Sequence, residues 1–508
     1  MMSPAPRHLP ARHAALLFLL LAALLEAGGL RLYDLGKLSL WEDELFSADI
    51  VLQRPLVPQA GAPWFEPVDI RGLQDGGHES FWTVKAADQS PPMFELAAKL
   101  VTAVAGPSEA GLRLTSALAA LAALAWLALR AWRARDGPLL PVYLTALALS
   151  SFNGLMIFYA REARAYALGA ALVTVLAVRF WERGMTGWRR AALPGWGEIA
   201  LCVAACMTHY DALVVVGLML LPCAWQALRR KDIAALARLA VVAVVVAAWL
   251  ALSYGNVVRT AHGQMGWHQG SVSRAFGHLM VHQILGPWLV GLMALAVIAA
   301  IVAALWRQAD SGGVDGQGLP RASIAMAMLL LAAAYVTWLI AKRTAIVNER
   351  HLIFVLPLLF VLVGSCLALT ARRWRGVAWG FLALALAAQV PLARTALLIP
   401  KTEFRGATAF VLERLQSGDT LLTTPMLNPA GFNYYLRQSD KRFERKYLLD
   451  KESLPELCLD LAGRQRIGFL GHGSGLPLEM AMKDACGDRY NIDFYQGYRV
   501  FAAVWTRK

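Results

Sequence analysis

The sequence predicts an all-α polytopic membrane domain of about 11 transmembrane helices, followed by a small C-terminal α/β extracytoplasmic domain. Three observations predict it. Of 508 residues, 57% are hydrophobic and only 17% are charged, against about a quarter charged in a soluble chain. The charge deficit is confined: from about 13 to about 397 the chain is a series of apolar runs, each near the ~20 residues that cross a bilayer. Arginines recur in every second loop of that series. Residues 1–398 therefore read as the membrane domain, with a large first loop over 34–110, and 399–508 as the soluble domain.

The first apolar run, His13 to Ala27, follows Arg7 and Arg12, but Glu26 and Arg31 stand where a small-x-small cleavage site would fall. We expect an uncleaved first helix. The further spans are expected near 111–131, 138–157, 164–182, 193–208, 211–228, 235–254, 283–306, 322–341, 352–370 and 377–397. Basic clusters at Arg130/Arg133/Arg135, Arg179/Arg183/Arg189/Arg190, Arg229/Arg230/Lys231, Arg307/Arg321 and Arg372/Arg373/Arg375 share a phase with the N-terminus. That phase places the N-terminus in the cytoplasm, and an odd number of spans places residues 399–508 outside, in the periplasm of a bacterial inner membrane protein. The apolar stretch from Pro91 to Ala105 is short, and is expected to lie in the outer interface with its start set by the two prolines. The net charge of +14 follows from these flanking arginines; no nucleic-acid motif accompanies it.

Against that phase, arginines on the outer side are informative, because charge at membrane depth faces a partner or a cavity. Arg161 and Arg164 stand in Tyr159-Ala160-Arg161-Glu162-Ala163-Arg164-Ala165-Tyr166, Arg343 follows Lys342, and Arg350 lies in Asn348-Glu349-Arg350-His351. Two readings are open: structural pairing with acids, or a cationic pocket for a phosphate, for which the planar guanidinium fork is suited. The first outer loop holds Glu42, Asp43 and Glu44 beside Trp41 and Phe46. These read either as a solvated helix cap or as a general base whose pKa is raised by its neighbours. Cys202, Cys206, Cys223 and Cys366 fall in apolar spans and read as core fillers.

At this point the residues resemble a known family. Ser39-Leu40-Trp41-Glu42-Asp43-Glu44-Leu45-Phe46-Ser47 resembles the first-loop signature SLWxDExxS of GT-C glycosyltransferases, the protein mannosyltransferase and aminoarabinose transferase relatives. Asp88-Gln89-Ser90-Pro91-Pro92-Met93-Phe94 is similar to DxHPPLYY, with Ser90 at the usual His. Leu112 to Ala117 is similar to LRLxSA, Tyr159 to Leu168 to YsxeARxYAL, Thr208-His209-Tyr210 to THY, and Glu349-Arg350-His351-Leu352 to ERYL. Six motifs occur in the family's order over about 39–360. The resemblance implies a GT-C fold and inverting transfer of one sugar from a polyprenyl-phosphate donor, such as undecaprenyl phosphate. The acceptor would be an extracytoplasmic lipid A, glycolipid, polysaccharide or protein. It implies Asp43 as general base with Glu44 second, Asp88 as an acceptor or metal position, and Arg161, Arg164, Tyr166 and Arg350 near the donor phosphate; Arg343, at an outer helix end, is a further donor-phosphate candidate. His209 is a further acceptor or metal candidate. A divalent cation (Mg, Mn or Zn) stays open, since Ser90 removes one ligand and no HxxxH spacing occurs. A transporter or flippase for a lipid-linked saccharide is the main competing reading; no obvious inverted repeat supports it.

In the tail, Phe404–Leu415, Gly431–Leu436 and Leu476–Cys486 read as helices, and Asp419–Thr424, Arg466–Leu470 and Tyr498–Trp505 as strands. Gly471 to Gly475 reads as a flexible loop. Cys458 and Cys486 are the only cysteines of a domain expected in an oxidising compartment, and are expected to form a disulfide.

Overall fold

The computed structural model describes residues 10–54, 80–86, 88, 90–187, 191–264, 318–344, 348–372, 374–423, 430–447, 458–459, 461–473, 484 and 489–508. They form two compact units. The first comprises 1–33, 89–97 and 113–398; the second comprises 34–88, 98–112 and 399–508. One boundary falls after Leu398, and most of the first loop belongs to the same unit as the C-terminal residues.

The first unit is helical. Its long helices are α1 (Ala11–Leu32), α5 (Glu109–Arg133), α8 (Ala165–Thr186), α10 (Tyr210–Arg230), α11 (Ile233–Gln264), α12 (Gly318–Thr344) and α14 (Arg375–Leu398). Among the described residues these seven are long and apolar enough to cross a membrane. An eighth span is the bent pair α6 (Leu140–Phe152) and α7 (Gly154–Ala160). Two expected spans are shorter helices, α9 (Trp196–Cys206) and α13 (Leu356–Ala371). The span expected at 283–306 lies outside the described residues. Large apolar side chains point outward, including Phe18, Leu25, Leu252 and Leu331. That pattern is stable in lipid and costly in water, and the chain is a multi-pass membrane protein.

The bend between α6 and α7 is 60°, where one continuous helix was expected. Asn153 causes it. Its backbone is extended, its Oδ1 accepts from Met156 N at 3.2 Å to cap α7, and its Nδ2 donates to Gln389 Oε1 of α14 at 3.1 Å. Behind it, Gly154 packs so closely on α14 that a Cβ would meet Leu392 O at 2.7 Å. The break frees carbonyls at the end of α6, and Arg31 of α1 donates to two of them: Ser150 O at 2.8 Å and Ser151 O at 3.0 Å. At the opposite helix ends, Arg130 and Arg179 pair with Glu182, and Arg183 bonds Glu198 through both terminal nitrogens at 2.5 Å.

In the second unit, α2 (Glu42–Val51) and α3 (Phe81–Ala86) belong to the first loop. The stretch expected in the outer interface is α4 (Met93–Ala105). The C-terminal residues add α15 (Phe404–Arg414), β1 (Thr420–Thr423), α16 (Ala430–Leu436), β2 (Glu444–Tyr447), β3 (Arg466–His472), β4 (Tyr490–Gly497) and β5 (Val500–Arg507). The sheet order is β2-β1-β3-β5-β4, parallel from β2 to β3 and antiparallel beyond. Ile467, Phe469, Phe501, Ala503 and Trp505 form one of its cores. Two corrections follow. The last strand starts at Val500, because Tyr498 and Arg499 are the hairpin turn, with Arg499 at φ 63°. Gly471 and His472 are strand residues paired with Phe501 and Val500 rather than loop. The helix expected at 476–486 lies largely outside the described residues. Cys458 is disulfide-bonded and the four membrane cysteines are free; Cys486 lies outside the described residues.

Close packing in the first unit rests on glycines where helices meet. A Cβ on Gly364 of α13 would lie 2.7 Å from Val142 O and 3.0 Å from its Cα in α6. Gly364→Ala should lower the stability of the detergent-solubilised protein by about 1–3 kcal/mol, the usual cost of overpacking. Gly380→Ala, with nothing near its added methyl, should leave thermal unfolding unchanged or raise it. Equal melting temperatures for the two variants would contradict this packing.

Candidate active site

In the first unit, three segments far apart in sequence meet at the starts of α8, α10 and α13. Arg164 is the N-cap of α8, in extended backbone; its carbonyl accepts from Ser116 Oγ at 3.1 Å. Its guanidinium stands 5.9 Å from the centre of the Tyr166 ring, within cation–π range. The buried Tyr166 ring meets His209 at 5.3 Å, and His209 stacks on Phe354 at 4.9 Å. His209 caps α10, its Nδ1 accepting from Asp211 N at 3.2 Å. Asp211 Oδ2 then accepts from His351 Nδ1 at 2.6 Å and lies 3.4 Å from His209 Nδ1. Arg350 precedes His351 in a short 3-10 turn, its N–H donating to Asn348 Oδ1 at 3.2 Å.

The electrostatics are those of a cationic cluster around one buried carboxylate. Burial pushes the pKa of His209 down to about 4; His351, Arg164 and Arg350 act in the same direction and Asp211 opposes them. His209 is therefore neutral near pH 7. Of the sequence-predicted residues, Arg164, Tyr166, His209 and Arg350 are brought together here. Arg161 and Arg343 are placed differently. Arg161 Nη1 donates to Tyr33 O at 2.8 Å and Leu30 O at 3.2 Å, closing the carbonyl end of α1. Arg343 is exposed in the last turn of α12. Asp211 and His351 are the residues that sequence reasoning underweighted. Their signal was present: a carboxylate directly after the Thr208-His209-Tyr210 motif and a histidine directly after Arg350.

In the second unit, α2 carries the first-loop carboxylates into three different settings. Glu42 Oε1 bonds His472 Nε2 at 3.0 Å and accepts from Thr402 Oγ1 at 3.0 Å. Burial works to raise its pKa, but the bonds from His472 and Thr402 prevail and hold it below the ordinary value. Glu44 is fully buried; it pairs with Lys401 Nζ at 3.0 Å and accepts from Trp41 N at 3.3 Å in a capping box. Asp43, in the first turn of α2 between them, is half-buried, where a helix N-terminus favours negative charge. Leu40 N donates to Tyr435 Oη at 2.8 Å just before the helix, and at its far end Asp49 faces Arg437 at 3.6 Å. Asp88 accepts from the wholly buried Lys85 Nζ at 2.7 Å.

Among the described residues no group of three His, Cys, Asp or Glu side chains is arranged to hold a metal ion. In the first unit, His209 and His351 both turn Nδ1 toward Asp211. A cation held by these three would have to displace both contacts.

Two predictions follow from α2. Lys401→Met strands the buried Glu44 charge and should destabilise the second unit by about 3–5 kcal/mol, whereas adding Glu44→Leu should restore much of that loss. Melting curves of the single and double variants check it; an equal loss in both contradicts the pairing. Burial, which outweighs Arg437 and Arg54, raises the Asp49 pKa from 3.8 to about 7. Between those values the folded chain holds a proton that the unfolded chain has released. Stability should therefore fall as pH rises from about 4 to about 7, and Asp49→Asn should remove that slope in pH-dependent melting.

No protein-family model matches the chain, and a search of curated proteins finds no match. Solved structures do match. ArnT from Cupriavidus metallidurans in the apo state superposes with a TM-score of 0.58 at 13% identity, covering 97% of this chain and 98% of that one. The structure of the same protein bound to undecaprenyl phosphate gives a TM-score of 0.49 at 15% identity, with the same coverage. From the first of these, the chain has the fold of ArnT over nearly its whole length: a polytopic helical membrane domain with a C-terminal α/β domain, as the GT-C resemblance implies.

Proposed function

We propose that the chain is an inverting membrane glycosyltransferase. It moves one sugar from a polyprenyl-phosphate donor to an acceptor outside the cytoplasm, with the N-terminus in the cytoplasm and residues 399–508 in the periplasm. The observation that carries the reading is the convergence of the Arg164, His209 and Arg350 motifs on one cationic cluster, within a chain that has the ArnT fold. A phosphate leaving group needs fixed positive charge, and pre-oriented guanidinium groups supply it without reorganisation.

In this mechanism the acceptor hydroxyl oxygen attacks the anomeric carbon from the face opposite the phosphate. Asp43 takes the hydroxyl proton. The carbon–oxygen bond to phosphate breaks, its electron pair leaves with the phosphate, and Arg164 and Arg350 stabilise the resulting charge. Glu44, Lys401 and Arg161 serve the scaffold, since their partners are internal.

The competing reading, a saccharide flippase, would move the intact lipid without breaking that bond. Purified protein given polyprenyl-phosphate sugar and acceptor should release polyprenyl phosphate. Asp43→Asn should lower kcat at least about 100-fold with unchanged melting, and Arg350→Gln should chiefly raise the KM for donor. Undiminished turnover in Asp43→Asn removes Asp43 as base; lipid movement without phosphate release favours the flippase.

A further inference from the structure

In the sheet of the second unit, β2 lies on one side of β1 and β3 on the other. From β1 the chain crosses to β2; the next strand, β3, starts the opposite half of the sheet. The space beyond the carboxyl ends of β1 and β3 is therefore a topological switch point, the place where open α/β sheets take ligands. Strand β1 ends at Thr423, paired with Leu470, and β3 runs two residues further, to His472. Gly473 then turns the chain at φ 93°, a conformation that favours glycine, and its N–H donates to Arg499 O at 2.7 Å. His472 is thus mounted on a fixed strand end, its ring 6.4 Å from that of Phe404 at the start of α15.

One nitrogen of that ring is committed. Nε2 lies 3.0 Å from Glu42 Oε1. Burial works to raise the Glu42 pKa, but its bonds to His472 and Thr402 hold it below the ordinary value, so the group is a carboxylate. A carboxylate only accepts, and Nε2 therefore carries the hydrogen. In the neutral ring Nδ1 is then a lone-pair acceptor. Among the described residues no group donates to it, and the side chain is 22% exposed. The imidazole thus offers one acceptor atom, with its tautomer set by Glu42, at the switch point of the sheet.

Asp43 follows Glu42 in the first turn of α2. One turn therefore carries an oxygen acceptor in Asp43 and, through Glu42, orients a nitrogen acceptor in His472. Two acceptors call for two O–H groups on one ligand. A saccharide presents adjacent hydroxyls, whereas a serine or threonine side chain of a protein presents one. We propose that His472 is a binding residue for the acceptor and that the acceptor is a saccharide, one hydroxyl donating to His472 Nδ1 while a neighbouring hydroxyl faces Asp43. The assignment rests on the transferase reading above and names the acceptor class which that reading leaves open. Glu42 is a positioning residue, since it sets which nitrogen of His472 bears the proton.

The test is saturation-transfer NMR of the full chain in lipid nanodiscs with methyl glucoside, galactoside and mannoside, and with cyclohexanol as a single-hydroxyl control. No donor is present, so the result is separate from phosphate release, which tests the transferase reading itself. The wild type should bind at least one hexoside saturably, and in preference to cyclohexanol. His472→Gln places an amide nitrogen where Nε2 stands, keeps the bond to Glu42 and removes the Nδ1 acceptor. It should weaken hexoside binding at least about fivefold, the loss of one hydrogen bond. His472→Asn places its amide oxygen where Nδ1 stands and loses the reach to Glu42, and should retain more of the binding. The reverse order, with Gln binding and Asn not, is what a purely structural tie to Glu42 gives, and it would overturn the proposal. So would equal binding of cyclohexanol, hexoside binding that neither variant changes, or no hexoside binding by the wild type.

Discussion

The hydrogen bond between Asp211 and His351, 2.6 Å long, is the contact on which the cationic cluster depends. Arg164, Arg350 and His351 act on the same buried region. Without a carboxylate among them, their mutual repulsion in a low-dielectric setting would spread them apart. Asp211 supplies a negative charge among them, bonded to His351. Neutral His209 adds shape rather than charge: it stacks on Phe354, meets Tyr166 and caps α10.

The second unit solves the opposite problem. Three consecutive carboxylates on α2 repel one another, and the structure separates their environments. Glu42 is held by His472 and Thr402, and Glu44 is sealed against Lys401. Asp43, like Glu42, is half-buried. The short helix that carries all three is pinned before its start by Tyr435 and at its far end by Arg437. The reading as a helix cap holds for Glu44, which closes a capping box with Trp41.

Much of this was legible in the sequence. Apolar run length located the helices, and the sequence grouped Arg164, Tyr166 and Arg350 with Arg161 and Arg343, and His209 with Asp88. Pairing was not legible. Arg161 and Arg164 look equivalent three residues apart, yet one closes the end of α1 and the other caps α8 beside Tyr166. Which of two arginines closes a helix end is a tertiary fact. The Asn153 break was missed because hydropathy runs unbroken through it, although Asn153-Gly154 in the middle of a span was a usable sign. Strand β4, an edge strand rich in polar residues, escaped for lack of a clean apolar alternation. Arg31 was read only as an obstacle to cleavage, although it breaks the charge phase as clearly as Arg164 does.

The central claim is that the cluster around Asp211 is a site for a lipid phosphate. It is tested most directly by measuring binding of undecaprenyl phosphate to the purified chain, separately from turnover. The account predicts saturable binding that Arg164→Gln and Arg350→Gln each weaken at least about tenfold, the loss of one charge-assisted contact, while Asp43→Asn leaves it nearly unchanged. Binding that is insensitive to both arginines, or lost with Asp43 instead, would contradict it.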